Sequence, residues 1–157
     1  MWSRHSHIRG VAGDSKIAPV INEGTEFGAR VARRLREESV VWLTTVTQAG
    51  APLPRPVGFL WNGDDIVSMY SQPGVRVRNI AANPQVALNF DGDSRGGDIV
   101  VFSGIARIDC EAPPADAVPR WLEKYAGQIA SFGMTPASYA ARFCVPIRVR
   151  LTGLDGR

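Results

Sequence analysis

The residues best suited to chemistry lie in segment 69–79 (MYSQPGVRVRN), where a strand pattern gives way to a short helix. The start of a helix has unpaired backbone N–H groups and a positive dipole end, and both favour an anion. Ser71 adds a hydroxyl donor, and Arg76 and Arg78 add guanidinium groups that can hold phosphate oxygens in pairs. Gly74 lets the backbone approach a ligand closely. The segment predicts a phosphate site, although two arginines on an exposed helix are often simply solvated.

Prolines at alternate positions mark the segment just before it, 52–61 (PLPRPVGFLW). Amides at i, i+2 and i+4 of a strand point toward the same neighbour, and Pro52, Pro54 and Pro56 have none to offer. We therefore expect an edge strand, at which the barrel is open. A bare structural edge would explain this pattern, and so would a planar ligand lying along the edge.

Other kinds of active site find little support. The histidines, His5 and His7, both lie in the N-terminal stretch, so a Ser–His or Cys–His nucleophile in the core is excluded and a metal site there would be weak. Loop 91–98 (DGDSRGGD) lacks the closing glutamate of a calcium loop and is interpreted as a polar hairpin loop. Cys110 and Cys144 are expected to be buried thiols rather than a disulfide. No metal site and no catalytic side chain is predicted.

Composition indicates one globular domain, since the 157 residues are 45% hydrophobic. The net charge of +3 favours an anionic partner, which phosphates, nucleic acid or an acidic protein would satisfy. No run approaches the roughly 18–20 apolar residues that span a bilayer. The first residues lack the apolar core of a signal peptide. We therefore expect a cytoplasmic protein that does not bind membranes.

Helical patterns flank the predicted strands. Residues 1–23 have no sustained periodicity and predict a poorly ordered arm, so the domain is expected to span 24–157. Phe27, Val31 and Leu35 recur at i, i+4 and i+8 and predict a helix that Thr25 caps. Further helices are predicted at 74–82, 115–126 and 136–143.

The strands are predicted from runs of β-branched and aromatic residues. These runs are 40–46, 52–61, 65–71, 85–90, 98–109 and 145–152. Asn62 and Gly63 form a tight hairpin between the second and third strands, because both residues accept a positive φ. The order predicts a mainly β (α+β) fold, a six-stranded, largely antiparallel split β-barrel with flanking helices.

Three stretches then resemble the flavin-reductase-like split-barrel superfamily of pyridoxamine 5'-phosphate oxidase. They are VVWLTTV, PRPVGFLWNGDDIVSMYSQPG and RVRNIAANPQVALNFDGD, and the likeness runs over about residues 25–152. The chain looks closest to the branch that uses the deazaflavin coenzyme F420. The resemblance implies a homodimer with a cofactor in each of two grooves at the subunit interface. It also implies hydride transfer between the cofactor and a small electron-poor organic acceptor.

The resemblance further implies which residues contact the cofactor. Those that line or border its ring are Arg55, Pro56, Val57, Tyr70 and Ser71. Those that hold its phosphate end are Arg76, Arg78 and Asn79. Arg76 stands where the family commonly has lysine, and the segment before it is one residue shorter, so flavin mononucleotide (FMN) stays open as the cofactor. The arginine–histidine pair with which pyridoxamine-phosphate oxidases hold their substrate is missing, and we do not expect that substrate.

Three alternatives to an F420-dependent reductase remain open. An FMN-binding oxidoreductase would use the same fold, and a cofactor carrier or sensor would present the same site. A nucleic-acid-binding barrel would suit the positive charge, but aromatic residues make up only 8% and the arginines concentrate on helices. The expected partner is a small-molecule acceptor rather than nucleic acid.

Overall fold

A computed structural model describes residues 18–157. Seven strands form one antiparallel sheet. They are β1 (Val41–Val46), β2 (Pro52–Val57), β3 (Leu60–Trp61), β4 (Ile66–Ser71), β5 (Gln85–Asn89), β6 (Val100–Ile108) and β7 (Val145–Gly156). The helices are α1 (Glu26–Glu37), α2 (Val75–Ala82), α3 (Pro119–Ser131) and α4 (Pro136–Arg142), with a short 3-10 turn at Ala115–Ala117.

The strands follow the order β2-β1-β5-β6-β7-β4-β3 across the sheet. The edge strands β2 and β3 are consecutive in the chain, so the linker Gly58–Phe59 joins the two ends of the sheet. Within residues 18–157, β2 pairs only with β1, and β3 only with β4. The fold is therefore an α+β split barrel that is open beside β2, as the sequence predicts.

Alternation along the strands fills the barrel interior. In β1, Val41 and Leu43 are buried in the main core, and Trp42 between them lies on the outer face. The predicted stripe of α1 is confirmed, because Val31 and Leu35 are buried against this core and Phe27 packs at its margin. Thr25 caps the helix as expected, since its Oγ1 accepts the Gly28 N–H at 3.0 Å.

The predicted strand 52–61 is broken in two, which gives seven strands rather than six. The break lies at Phe59, whose side chain is fully buried and whose N–H donates to the Tyr125 hydroxyl at 2.7 Å. The Lys124 ammonium donates to the Phe59 carbonyl at 2.9 Å. Because α3 takes both backbone groups of residue 59, neither is free for a neighbouring strand. Gly58 permits this approach, since a Cβ there would lie 3.2 Å from the Tyr125 ring.

A helical excursion separates two neighbouring strands, β6 and β7. It contains the 3-10 turn, α3 and α4, and it packs on the outer face of β4. The contact is a second apolar cluster in which Tyr70 of β4 meets Trp121, Tyr125 and Ile129 of α3. The excursion therefore covers one end of a sheet face that would otherwise be open.

Two expectations about the chain need qualification. The prediction of buried cysteines is wrong, because Cys110 and Cys144 are both exposed where the excursion leaves β6 and returns to β7. Most of the predicted arm, including both histidines, lies outside the described residues. Within the described part, Ile21 is buried and the Val20 N–H donates to Asp65 Oδ1 at 3.0 Å, so packing begins before residue 24. No helix in residues 18–157 is long and apolar enough to cross a bilayer.

Replacing Tyr125 with phenylalanine is expected to destabilise the fold. The Tyr125 hydroxyl accepts from the Phe59 N–H and lies 2.8 Å from the carbonyl oxygens of both Ser39 and Phe59. Its loss leaves a buried N–H unpaired, which costs about 1–3 kcal/mol. Urea denaturation measures the change, with Ser131→Ala as a control that removes an exposed hydroxyl from the same helix. Equal stabilities of the two variants would contradict this role.

Stability is also expected to rise with pH between about 8 and 10, because of Lys124. Burial, followed by the charge of Arg120, lowers the pKa of Lys124 to about 8. Lysine in the unfolded chain has a pKa near 10.4, so in this window the unfolded chain binds more protons than the folded chain. The free energy of unfolding therefore increases as pH rises. Urea midpoints at pH 8 and 10 should rise more in the native protein than in Lys124→Met. Parallel pH profiles would exclude Lys124 as the source.

Candidate functional site

A cleft of about 450 Å³ lies at the open edge of the barrel. Its walls come from the ends of β2 and β4, the segment leading into α2, and the aromatic side of α3 and α4. The residues predicted for the site that line it are Pro56, Val57, Tyr70, Ser71 and Arg76. Five of the residues that the sequence predicts for the site therefore line one cleft.

Arg76 connects the elements that meet here. Its guanidinium lies 3.4 Å from Ser71 Oγ at the end of β4 and 3.3 Å from the Pro56 carbonyl of β2. Both distances are near the outer limit of hydrogen bonding, so these contacts hold the group only loosely. Burial, followed by the nearby charge of Arg55, lowers the pKa of Arg76. A half-buried cation with weakly used donors is suited to an anionic ligand.

The start of α2 adds backbone donors to the same region. Gly74 is the N-cap residue and supplies no side-chain hydrogen bond, and the first turn contains no acidic residue. The first amides of the helix therefore have no side-chain acceptor, and the positive end of the helix dipole is not offset.

The remaining predicted residues lie outside the cleft lining. Arg55 is exposed at its margin and donates to the Pro54 carbonyl at 2.9 Å. Arg78 is exposed on α2. Asn79 is buried, and its amide donates to Thr45 Oγ1 at 3.1 Å, so it fastens α2 to β1. The structure does not bring these three side chains to the cleft wall.

Tyr70 is a packed wall of the cleft. Only 7% of the residue is exposed, and its ring stands edge-on to Trp121 with the centroids 4.8 Å apart. Its hydroxyl donates to the Pro113 carbonyl at 2.7 Å. Burial raises its pKa above the usual value, so the hydroxyl stays protonated at neutral pH. Tyr70 therefore shapes the cleft, and its proton is already engaged.

The sequence did not reveal the residues that the helical excursion contributes. These are Tyr125, Gln128, Phe132, Tyr139 and Phe143. Phe132 stands at the rim with 70% of its surface exposed. Aromatic residues at helical spacing were visible in the sequence, but nothing local showed which sheet face the helices would cover.

The lining limits the chemistry that the chain itself performs. Among the described residues, the cleft contains no carboxylate, imidazole, amine or thiol. No group of three potential metal ligands occurs in residues 18–157 either. The arrangement joins anion-binding groups at one end to an apolar and aromatic wall. It is suited to holding a ligand.

Solved structures share this fold at low sequence identity. An F420 reductase is 23% identical with a TM-score of 0.57, over 80% of this chain and 96% of the other. An FAD-binding protein from Mesorhizobium loti is 17% identical with a TM-score of 0.58, over 80% and 88%. The haem storage protein HutZ from Vibrio cholerae is 18% identical with a TM-score of 0.57, over 84% and 95%. These similarities establish the fold alone.

The family assignment comes from the sequence. No curated protein matches the chain closely enough to be counted a relative. A family model described as pyridoxamine 5'-phosphate oxidase matches residues 27–149, from the first turn of α1 into β7. The match thus spans nearly the whole barrel and both walls of the cleft. The chain belongs to the pyridoxamine 5'-phosphate oxidase family, whose members bind flavin-type cofactors and are mostly oxidoreductases.

Proposed function

We propose that the chain binds the deazaflavin coenzyme F420 in this cleft and reduces a small electron-poor organic acceptor with it. One observation carries the proposal. Arg76, in the uncapped first turn of α2, lines a single cleft together with a wall of aromatic side chains. A molecule with a planar ring and an anionic tail matches both parts. The likeness to an F420 reductase supports this cofactor, and FMN is the second candidate because Arg76 replaces the usual lysine.

The residues present fit such a molecule. Ser71, Arg76 and the first amides of α2 would hold the phosphate, and Val57 with the aromatic residues of α4 would border the ring. The described lining contains no acidic group to repel the tail. When bound, a deazaflavin supplies hydride-transfer chemistry. The chain itself would bind and orient the cofactor, and the rim residue Phe132 would exclude water from it.

The identity of the cofactor is tested by titrating the purified apo-protein with F420 and with FMN side by side. Binding is measured by cofactor fluorescence. Binding of F420 with micromolar affinity and no binding of FMN is expected. A preference for FMN would move the enzyme to the other cofactor, and binding of neither would overturn the cleft assignment. Turnover with a panel of electron-poor acceptors then separates an enzyme from a carrier, which would bind F420 without oxidising it.

Replacing Arg76 with alanine is expected to weaken cofactor binding roughly 10–150-fold, because a hydrogen bond to a charged group contributes about 1.5–3 kcal/mol. Arg33→Ala removes the same charge from the exposed face of α1. This control should lose only a few-fold, because it changes the long-range potential alone. Dissociation constants from the fluorescence titration measure the difference. Equal losses in the two variants would contradict a direct phosphate contact.

We also propose that the chain is a homodimer. The open edge of β2 and the exposed apolar residues at the cleft rim, Val40 at 45% and Phe132 at 70%, are surfaces that a second copy would cover. Static light scattering should give twice the chain mass of 17.0 kDa at micromolar concentration. A monomer under these conditions would contradict the proposal.

A further inference from the structure

A second cavity shares the wall residue Tyr70 with the cofactor cleft. It has a volume of about 220 Å³ and sits between the outer face of the sheet and the segment 112–121. Tyr70 and Trp121 give it an aromatic wall, and Leu60 and Ile147 add apolar surface. The hydrogen bond from Tyr70 to Pro113 fixes that segment over the strands. The cavity is therefore built by packed elements, and its shape does not depend on a loose loop.

Two arginines from different elements line this cavity. Arg120 projects from α3 and donates to the Trp61 carbonyl at 3.0 Å. Arg148 projects from β7, with its Nε 3.3 Å from Asp109 Oδ2. Each guanidinium has five N–H donors, so these contacts leave most of them available to a ligand. Asp109 is the one acidic residue among the described residues that line the cavity.

The surface beside the cavity is more basic still. Arg148 also lines a neighbouring depression together with Arg107 and Arg150. Arg107 lies directly opposite Arg148 in the β6–β7 pairing, where like charges repel. Asp109 again supplies the counter-charge, since its Oδ1 lies 3.2 Å from Arg107. Of the four arginines here, only Arg107 and Arg148 pair with the Asp109 carboxylate, and an anion entering here would relieve the remaining repulsion.

We propose that this cavity binds a small organic acid, with the carboxylate between Arg120 and Arg148 and an apolar body against Tyr70 and Trp121. The site is separate from the cofactor cleft, and the inference does not rest on the proposed function. The positive surface around Arg107 and Arg150 would attract the anion and make its binding sensitive to salt.

The test uses benzoate as the probe and benzamide as its uncharged counterpart, on the cofactor-free full chain. Binding is followed by NMR as a shift of the Trp121 indole N–H resonance. We expect benzoate to move this resonance saturably and benzamide to bind at least fivefold more weakly. Arg120→Gln and Arg148→Gln should each weaken benzoate binding at least fivefold. Arg150→Gln, on the same strand and face but outside the cavity, should change it less than twofold.

Three outcomes would overturn the proposal. Benzamide binding as well as benzoate would show an apolar pocket without anion recognition. Equal losses in Arg148→Gln and Arg150→Gln would show attraction by the surface charge alone. An unmoved Trp121 resonance would show that the cavity takes no such ligand. Since Arg148→Gln also disturbs the Asp109 pair, Arg120→Gln is the deciding variant if the other fails to fold. Titration of the cofactor cleft is a separate experiment, so failure of one proposal leaves the other standing.

Discussion

The outer edge of β2 has no backbone donors, because Pro52, Pro54 and Pro56 place their ring nitrogens there. The N–H and C=O of one residue point to the same side of an antiparallel strand, so this edge still presents carbonyl oxygens. The guanidiniums of Arg55 and Arg76 occupy two of them, at Pro54 and Pro56. No strand can pair fully with an edge that only accepts. The barrel consequently splits here, and the cleft occupies the gap.

The same split determines where the helical excursion packs. Because β2 does not pair on its outer side, it stands at one end of the sheet. The next strand, β3, stands at the other end, and only Gly58 and Phe59 connect the two. The backbone of Phe59 then needs partners, and Tyr125 and Lys124 of α3 supply them. These two hydrogen bonds hold α3 beside the gap. The next helix, α4, then brings Tyr139 to the cleft. The aromatic wall of the cleft is thus a consequence of how the break in the sheet is satisfied.

Local signals predicted most of the fold. Alternation located the strands, the prolines located the edge, and adjacency in sequence placed Ser71 and Arg76 together. The features that local patterns do not predict depend on distant partners. Asn79 turns inward because its amide donates to Thr45, 34 positions away in the chain. No pattern in segment 69–79 predicts this contact. The break at Phe59 likewise requires Tyr125, and the exposure of the cysteines depends on where the excursion departs.

The distribution of cations follows from what each side chain can do at once. A guanidinium can donate to a protein carbonyl and keep other donors for a ligand, as Arg76 does at Pro56 and Arg120 at Trp61. An ammonium has three donors rather than five and no planar fork, so the same bond leaves it fewer donors for a ligand. Lys124 illustrates this, because its Nζ donates to the Phe59 carbonyl and lies 3.8 Å from the centroid of the Phe59 ring. Arginine therefore lines both cavities, where a side chain can bond to the protein and still offer donors, and Lys124 lies at the junction around Phe59, where its contacts are structural.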